Sequence, residues 1–252
     1  MRKSVWVLGL FVALSVSSIG LVAEVASAAR FDASIQSQAG QQLAAKKEFH
    51  NVQTSVEDGI VTLTGDVDLY QQKLDAVKKV RKLANVQGVR NLIEVSGADV
   101  ADAQLAAQLG RKLYYDRIGQ DNVFNFITAS VQNGVVTLNG EARIDVDRDS
   151  ALWLAYNMPG VKDVVNNINV APVSNFDDRI RIQAARVIYR DPVLSRYAID
   201  PARPIRIVVD RGKLSLYGTV ANKMDKEVAG IRASQVFGAF SVQNNLQVQK
   251  KS

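Results

Sequence analysis

The sequence predicts a mixed α/β (α+β) chain of three tandem αββαβ modules, each a three-stranded mixed sheet covered on one face by two helices. Three observations predict it. The stretch "DGIVTLTGDV" at 58 to 67 returns as "NGVVTLNGEA" at 133 to 142 and as "RGKLSLYGTV" at 211 to 220. The copies hold a gap-free register, at offsets of 75 and then 78 residues, from Val56, Val131 and Val209 through Gly65, Gly140 and Gly218 to Val95, Val170 and Val248. Within each copy the apolar period changes from that of a strand to that of a helix and back.

Each module opens with a helical stretch, near 32 to 47, 101 to 116 and 177 to 190. Val52, Thr54 and Val56 then alternate, as do Val61 and Leu63, around the dipeptide Asp58-Gly59. The same turn position holds Asn133-Gly134 and Arg211-Gly212, so the first two strands form a tight hairpin. Val61, Val136 and Leu214 share one face with Leu63, Leu138 and Leu216, which marks the buried side. A second helix follows, with Ala76, Val77, Val80 and Leu83 at helical spacing in the first copy and Ala151, Leu152, Ala155 and Met158 in the second. Asn85, Gly160 or Gly238 stands where that helix needs a left-handed stop. Val89, Ile93 and Val95 alternate as the third strand. The modules divide at 29 to 98, 99 to 173 and 174 to 252, with "SGAD" and "APVSN" as short linkers. About 70 residues make only a small core, so neighbouring modules are expected to lean on one another.

Ahead of the first module, Arg2 and Lys3 precede an apolar run from Val5 to Val22, and Ala26-Ser27-Ala28 supplies small residues for cleavage. This reads as a secretory signal peptide cut before Ala29, with an uncleaved membrane anchor as the alternative. The chain has no cysteine, which excludes disulfides and a lipid-modified N-terminal cysteine. A periplasmic protein is the expectation.

With the glycine spacing, the hairpin and the closing Asn-x-Ile-x-Val occurring together, the chain resembles the BON domain family of osmotically induced periplasmic and nodulation proteins. The third copy, from Pro204 to Val248, looks most like the family pattern. The resemblance implies phospholipid binding and envelope protection without catalysis. Many relatives have two modules and some carry a lipid anchor, so here it implies reversible membrane contact.

The residues themselves offer little chemistry. One histidine, His50, and no cysteine exclude the usual transition-metal ligand sets. "DVDRDS" at 145 to 150 begins like a calcium loop, yet Ser150 replaces the required glycine and Tyr156 the closing glutamate. Its aspartates are expected to complement a helix dipole. There is no nucleophile elbow, phosphate loop or zinc-protease helix, so neither an enzyme nor a cofactor is expected.

Function is therefore sought where the copies differ. In "RDSALWLAYNM", Trp153 and Tyr156 point away from the core side, at columns held by Lys78 and Arg81 in the first copy. Two readings stand: a lipid-interface contact, or packing against a neighbouring module or second subunit. Charge is the other departure. The mature chain carries +5, divided as +1, −3 and +7 over the three modules. Arg179, Arg186 and Arg190 form a stripe on one helical face, opposite Ile188. An exported protein seldom meets nucleic acid, so anionic phospholipid headgroups are the expected partner, with docking on the acidic second module as the alternative. The leading reading is a non-enzymatic periplasmic protein that binds phospholipid surfaces and maintains the envelope under osmotic stress. The second is a periplasmic protein-interaction scaffold or chaperone for envelope proteins.

Overall fold

The structure, a computed structural model, describes residues 30–115, 122–198 and 204–250. The expected signal peptide, 1 to 28, lies outside the described residues. Module one runs α1 (Asp32–Ala44), β1 (Gln53–Glu57), β2 (Ile60–Thr64), β3 (Asp66–Val67), α2 (Tyr70–Val80), β4 (Gly88–Asn91) and β5 (Glu94–Val95). Module two runs α3 (Asp102–Tyr115), β6 (Phe126–Gln132), β7 (Val135–Ala142), α4 (Asp145–Tyr156) and β8 (Asp163–Val170). Module three runs α5 (Asn175–Tyr189), β9 (Arg206–Asp210), β10 (Lys213–Tyr217), β11 (Thr219–Val220), α6 (Lys223–Ser234), β12 (Ser241–Asn244) and β13 (Gln247–Val248).

The sheets are β1-β2-β4, β6-β7-β8 and β9-β10-β12. In each, the hairpin is antiparallel and the last strand joins the hairpin's second strand in parallel. A parallel pair needs a long crossover, which the second helix of each module supplies. In modules one and three the ladder breaks after the second strand and resumes as the short pairs β3-β5 and β11-β13, whereas β7 and β8 run on unbroken.

The repeated residues have physical reasons. Val61, Val136, Leu214, Leu63, Leu138 and Leu216 are fully buried, as are Ala76, Ala151 and Ala229 beneath them. Each module has its own apolar cluster. The hairpin turns are left-handed at both central residues, Asp58 and Gly59, Asn133 and Gly134, and Arg211 and Gly212, as a two-residue type I′ turn requires. Asn85, Gly160 and Gly238 take the left-handed stop with φ of 64°, 91° and 90°. Asn91, Asn166 and Asn244 each accept the backbone N–H two residues on, at 3.2, 3.0 and 3.3 Å, which shapes the end of the third strand.

One device of the fold is absent from the gap-free register. The first helix of each module carries in its first turn an aspartate whose two oxygens accept both N–H groups of the hairpin turn. Asp32 holds Asp58 and Gly59 at 2.9 and 2.8 Å, Asp102 holds Asn133 and Gly134 at 2.6 and 2.9 Å, and Asp177 holds Arg211 and Gly212 at 3.0 and 2.8 Å. These donors have no partner in the ladder, and a carboxylate satisfies both while locking helix to hairpin.

The modules do lean on one another. Between one and two, the rings of Tyr70 and Tyr156 meet at 5.3 Å. Burial first, and then a hydrogen bond to Asp163, push the Tyr70 phenol up to about 12. Between two and three, Phe126 stacks on Tyr217 at 4.2 Å, Arg206 lies over Tyr114 at 4.9 Å, and Arg143 pairs with Asp178 at 3.2 Å. No helix among the described residues is long and apolar enough to cross a membrane.

Candidate functional site

The first helix of module three, α5, begins at Ser174, whose hydroxyl accepts the Asp177 N–H. Its buried face consists of Asp177, Ile180, Arg181, Ala184 and Ile188. Arg181 is the one arginine turned inward, and it is matched there: it donates to Asp178 at 2.7 Å and to the Val209 carbonyl. The opposite face carries Arg179, Arg186 and Arg190, all exposed and in no ion pair among the described residues. Between them stands Ile182, itself 52% exposed. The stripe expected from the sequence is thus a row of unpaired cations around an apolar side chain.

Trp153 and Tyr156 do not form one outward patch. Trp153 is 57% exposed on α4. Tyr156, one turn on, is half-buried against Tyr70, because the N-terminus of α2 in the preceding module covers that side of the helix. Helical periodicity places a residue opposite its own core and is blind to what a neighbouring module brings there.

The loop after α6 carries a further aromatic departure. Phe237 and Phe240 are 89% and 77% exposed, and Phe240 meets Phe176 at 5.5 Å between ring centres. The signal was in the register. The columns read Ala84, Pro159, Phe237 and Gln87, Lys162, Phe240, so both rings are departures of the third copy. His50 is exposed and bonds the Lys47 carbonyl at 2.9 Å. Asp145 and Asp149 both pair with Arg148 at 2.8 Å, and no group of three or more metal-ligating side chains occurs among the described residues.

Comparison with known proteins decides the family. The BON domain matches residues 31–97, 101–172 and 192–250. The chain belongs to the BON domain family. No curated protein matches the chain. Two solved structures, both of CdsD, a structural protein of the type III secretion system of Chlamydia trachomatis, align over 93% of this chain. One aligns over 100% of its own length at 13% identity with a TM-score of 0.25, the other over 94% at 14% with 0.24. The third BON match starts beyond α5, so the arginine stripe lies on a part of the module outside the matched residues.

A cavity of about 500 Å³ lies between the second and third BON modules. Its charged side chains are already engaged. Arg196 pairs with the buried Asp225, which also accepts the Tyr197 hydroxyl, and Arg206 lies over Tyr114.

The Arg143–Asp178 pair links the second and third modules. Burial pulls the Asp178 carboxyl upward, but the bonds from Arg143 and Arg181 outweigh this and hold it below the usual carboxylate range. A carboxyl depressed in the folded state contributes stability above the unfolded pKa of about 4 and loses it as pH falls through the lower folded value. Melting curves between pH 5 and 2 are therefore expected to show an acid-dependent fall that Asp178→Asn reduces. An unchanged pH profile in the variant would remove Asp178 from the account.

Proposed function

We propose that this protein is a non-enzymatic, exported BON protein that binds anionic phospholipid surfaces of the bacterial envelope reversibly and serves envelope maintenance under osmotic stress. The observation that carries the reading is the α5 face, where Arg179, Arg186 and Arg190 stand exposed and unpaired around Ile182. Module three holds fourteen basic against seven acidic side chains, so the field around the stripe is attractive to anions. Each arginine held near an anionic bilayer contributes on the order of 1 kcal/mol, and three together separate weak association from useful affinity. The phospholipid class comes from the family resemblance, and the residues that meet it come from the stripe.

The experiment is vesicle co-sedimentation of the mature chain with Arg179, Arg186 and Arg190 each replaced by Gln. Loss of about 3 kcal/mol corresponds to roughly a hundredfold weaker binding to phosphatidylglycerol vesicles. Equal binding by the variant and the parent would refute the assignment.

A protein-interaction scaffold is the second reading, and Trp153 favours it. That ring is exposed on a module of net charge −3, which anionic lipid does not attract. Under this reading Trp153→Ala abolishes complexes with envelope proteins, measured by crosslinking, and leaves vesicle binding intact.

A further inference from the structure

We infer that the end of module three formed by Phe176, Phe237 and Phe240 is a membrane-inserting tip, rimmed by Arg179, Arg211 and Lys213, that sets how this protein sits on an anionic bilayer. The inference rests on the membrane reading above and adds three phenylalanines, Arg211 and Lys213 to its contacts, sharing only Arg179. Three segments converge at this end: the start of α5, the turn between β9 and β10, and the loop after α6. The Phe240 N–H donates to the Gly212 carbonyl at 2.8 Å, and its ring covers Gly212 so closely that a Cβ there would lie 2.5 Å from it. Phe176 closes over Phe240, and a Cβ added at Gly238 would lie 3.6 Å from the Phe176 ring. Phe237, three residues before Phe240 in the same loop, is 89% exposed. Aromatic rings left in water on an otherwise well-packed module mark a contact surface.

The rim selects the occupant. Arg211 and Lys213 are exposed, and Arg179 lies one turn along α5 from Phe176. Of the nearby acids, Asp177 is held by the turn amides and Asp178 by Arg143 and Arg181, and Asp210 lies 4.0 Å from Arg211, leaving Arg179 and Lys213 in no ion pair among the described residues. Apolar tips ringed by cations match the acyl boundary and the phosphate layer of an anionic leaflet. From Phe176 the stripe continues along the same helix to Arg190, about 21 Å away at 1.5 Å per residue, so one bilayer plane can meet both.

Arg211 supplies an independent observation. It occupies the first left-handed position of the turn at φ 48°, where modules one and two use Asp58 and Asn133. A long side chain there is conformationally disfavoured, and such residues persist where they serve a function. Arg211→Asn is accordingly expected to raise the melting temperature while weakening vesicle binding roughly fivefold. A higher melting temperature with unchanged binding would overturn the placement of Arg211 on the rim.

The decisive experiment uses the absence of native cysteine. The mature chain is labelled with an environment-sensitive fluorophore at Phe237→Cys, and at Lys78→Cys as a control on module one. Phosphatidylglycerol vesicles are expected to shift the emission at 237 to the blue and leave 78 unchanged. In unlabelled protein, Phe237→Ser is expected to weaken binding about tenfold with no change in melting, since Phe237 packs on little. If the parent protein sediments with vesicles but the label at 237 is silent and Phe237→Ser binds normally, the tip is wrong and the stripe reading stands. If the parent does not bind, both fall. A concentration-dependent shift without vesicles would assign the tip to a second copy of the chain and overturn the inference.

Discussion

Gly140→Ala is expected to destabilise module two by on the order of 4 kcal/mol, enough to unfold a domain of this size under mild conditions. The residue sits at φ 124°, where an L side chain is strained. Its new Cβ would also lie 1.9 Å from the Phe126 carbonyl oxygen across the ladder, and backbone on both sides leaves nothing to rotate away. A Cβ added at Gly65 would lie 2.0 Å from the Asn51 carbonyl oxygen, so the repeated glycine records a close approach of two backbone segments. Gly40→Ala is the internal control. It lies inside α1 with nothing within 4 Å of its added Cβ, and helix propensity alone predicts a gain of about 0.5–1 kcal/mol. Urea unfolding of both variants checks the pair. Equal effects would mean that the repeated glycine spacing has another origin.

Asp177→Ala is expected to cost about 3 kcal/mol, because it removes two charge-assisted hydrogen bonds and strands the buried Gly212 amide. Asp177 is fully enclosed, whereas Asp32 and Asp102 are only half-buried, so water can replace the lost partner more readily in modules one and two. The order of effect is therefore Asp177 above Asp32 and Asp102. Asp177→Asn keeps one acceptor and is expected to fall between wild type and Asp177→Ala. Amide exchange gives the direct reading: protection at Arg211 and Gly212 drops selectively. Unchanged protection would show that the clasp contributes nothing to the turn.

Local chemistry made much of the fold legible. The dipeptides Asp58-Gly59 and Asn133-Gly134 demand a left-handed turn, and the alternation of Val61 with Leu63 sets the buried face. Even Asn85 as a helix stop follows from its tolerance of a left-handed backbone. The aspartate clasps escaped because they follow a different spacing. Asp32, Asp102 and Asp177 are 70 and 75 residues apart, while the turns they hold are 75 and 78 apart, so no single register aligns both. The fate of Tyr156 was hidden for another reason: Tyr70 is 86 positions away in sequence, and only the docking of modules brings the rings together. The arginine stripe was readable because one helix contains it. The Phe176, Phe237 and Phe240 tip was half-readable, as two departures three columns apart whose meeting with α5 depends on tertiary structure.

Salt-dependent partition reads directly whether the basic face of module three meets anionic lipid. The mature chain would be sedimented with phosphatidylglycerol and with phosphatidylcholine vesicles at low and at high ionic strength. Binding to phosphatidylglycerol that falls steeply with salt, and little binding to phosphatidylcholine, is the predicted result, since exposed arginines are screened within about 10 Å at 0.1 M. No retention on phosphatidylglycerol at low salt would refute lipid binding by module three and leave the exposed Trp153 as the place to seek a protein partner.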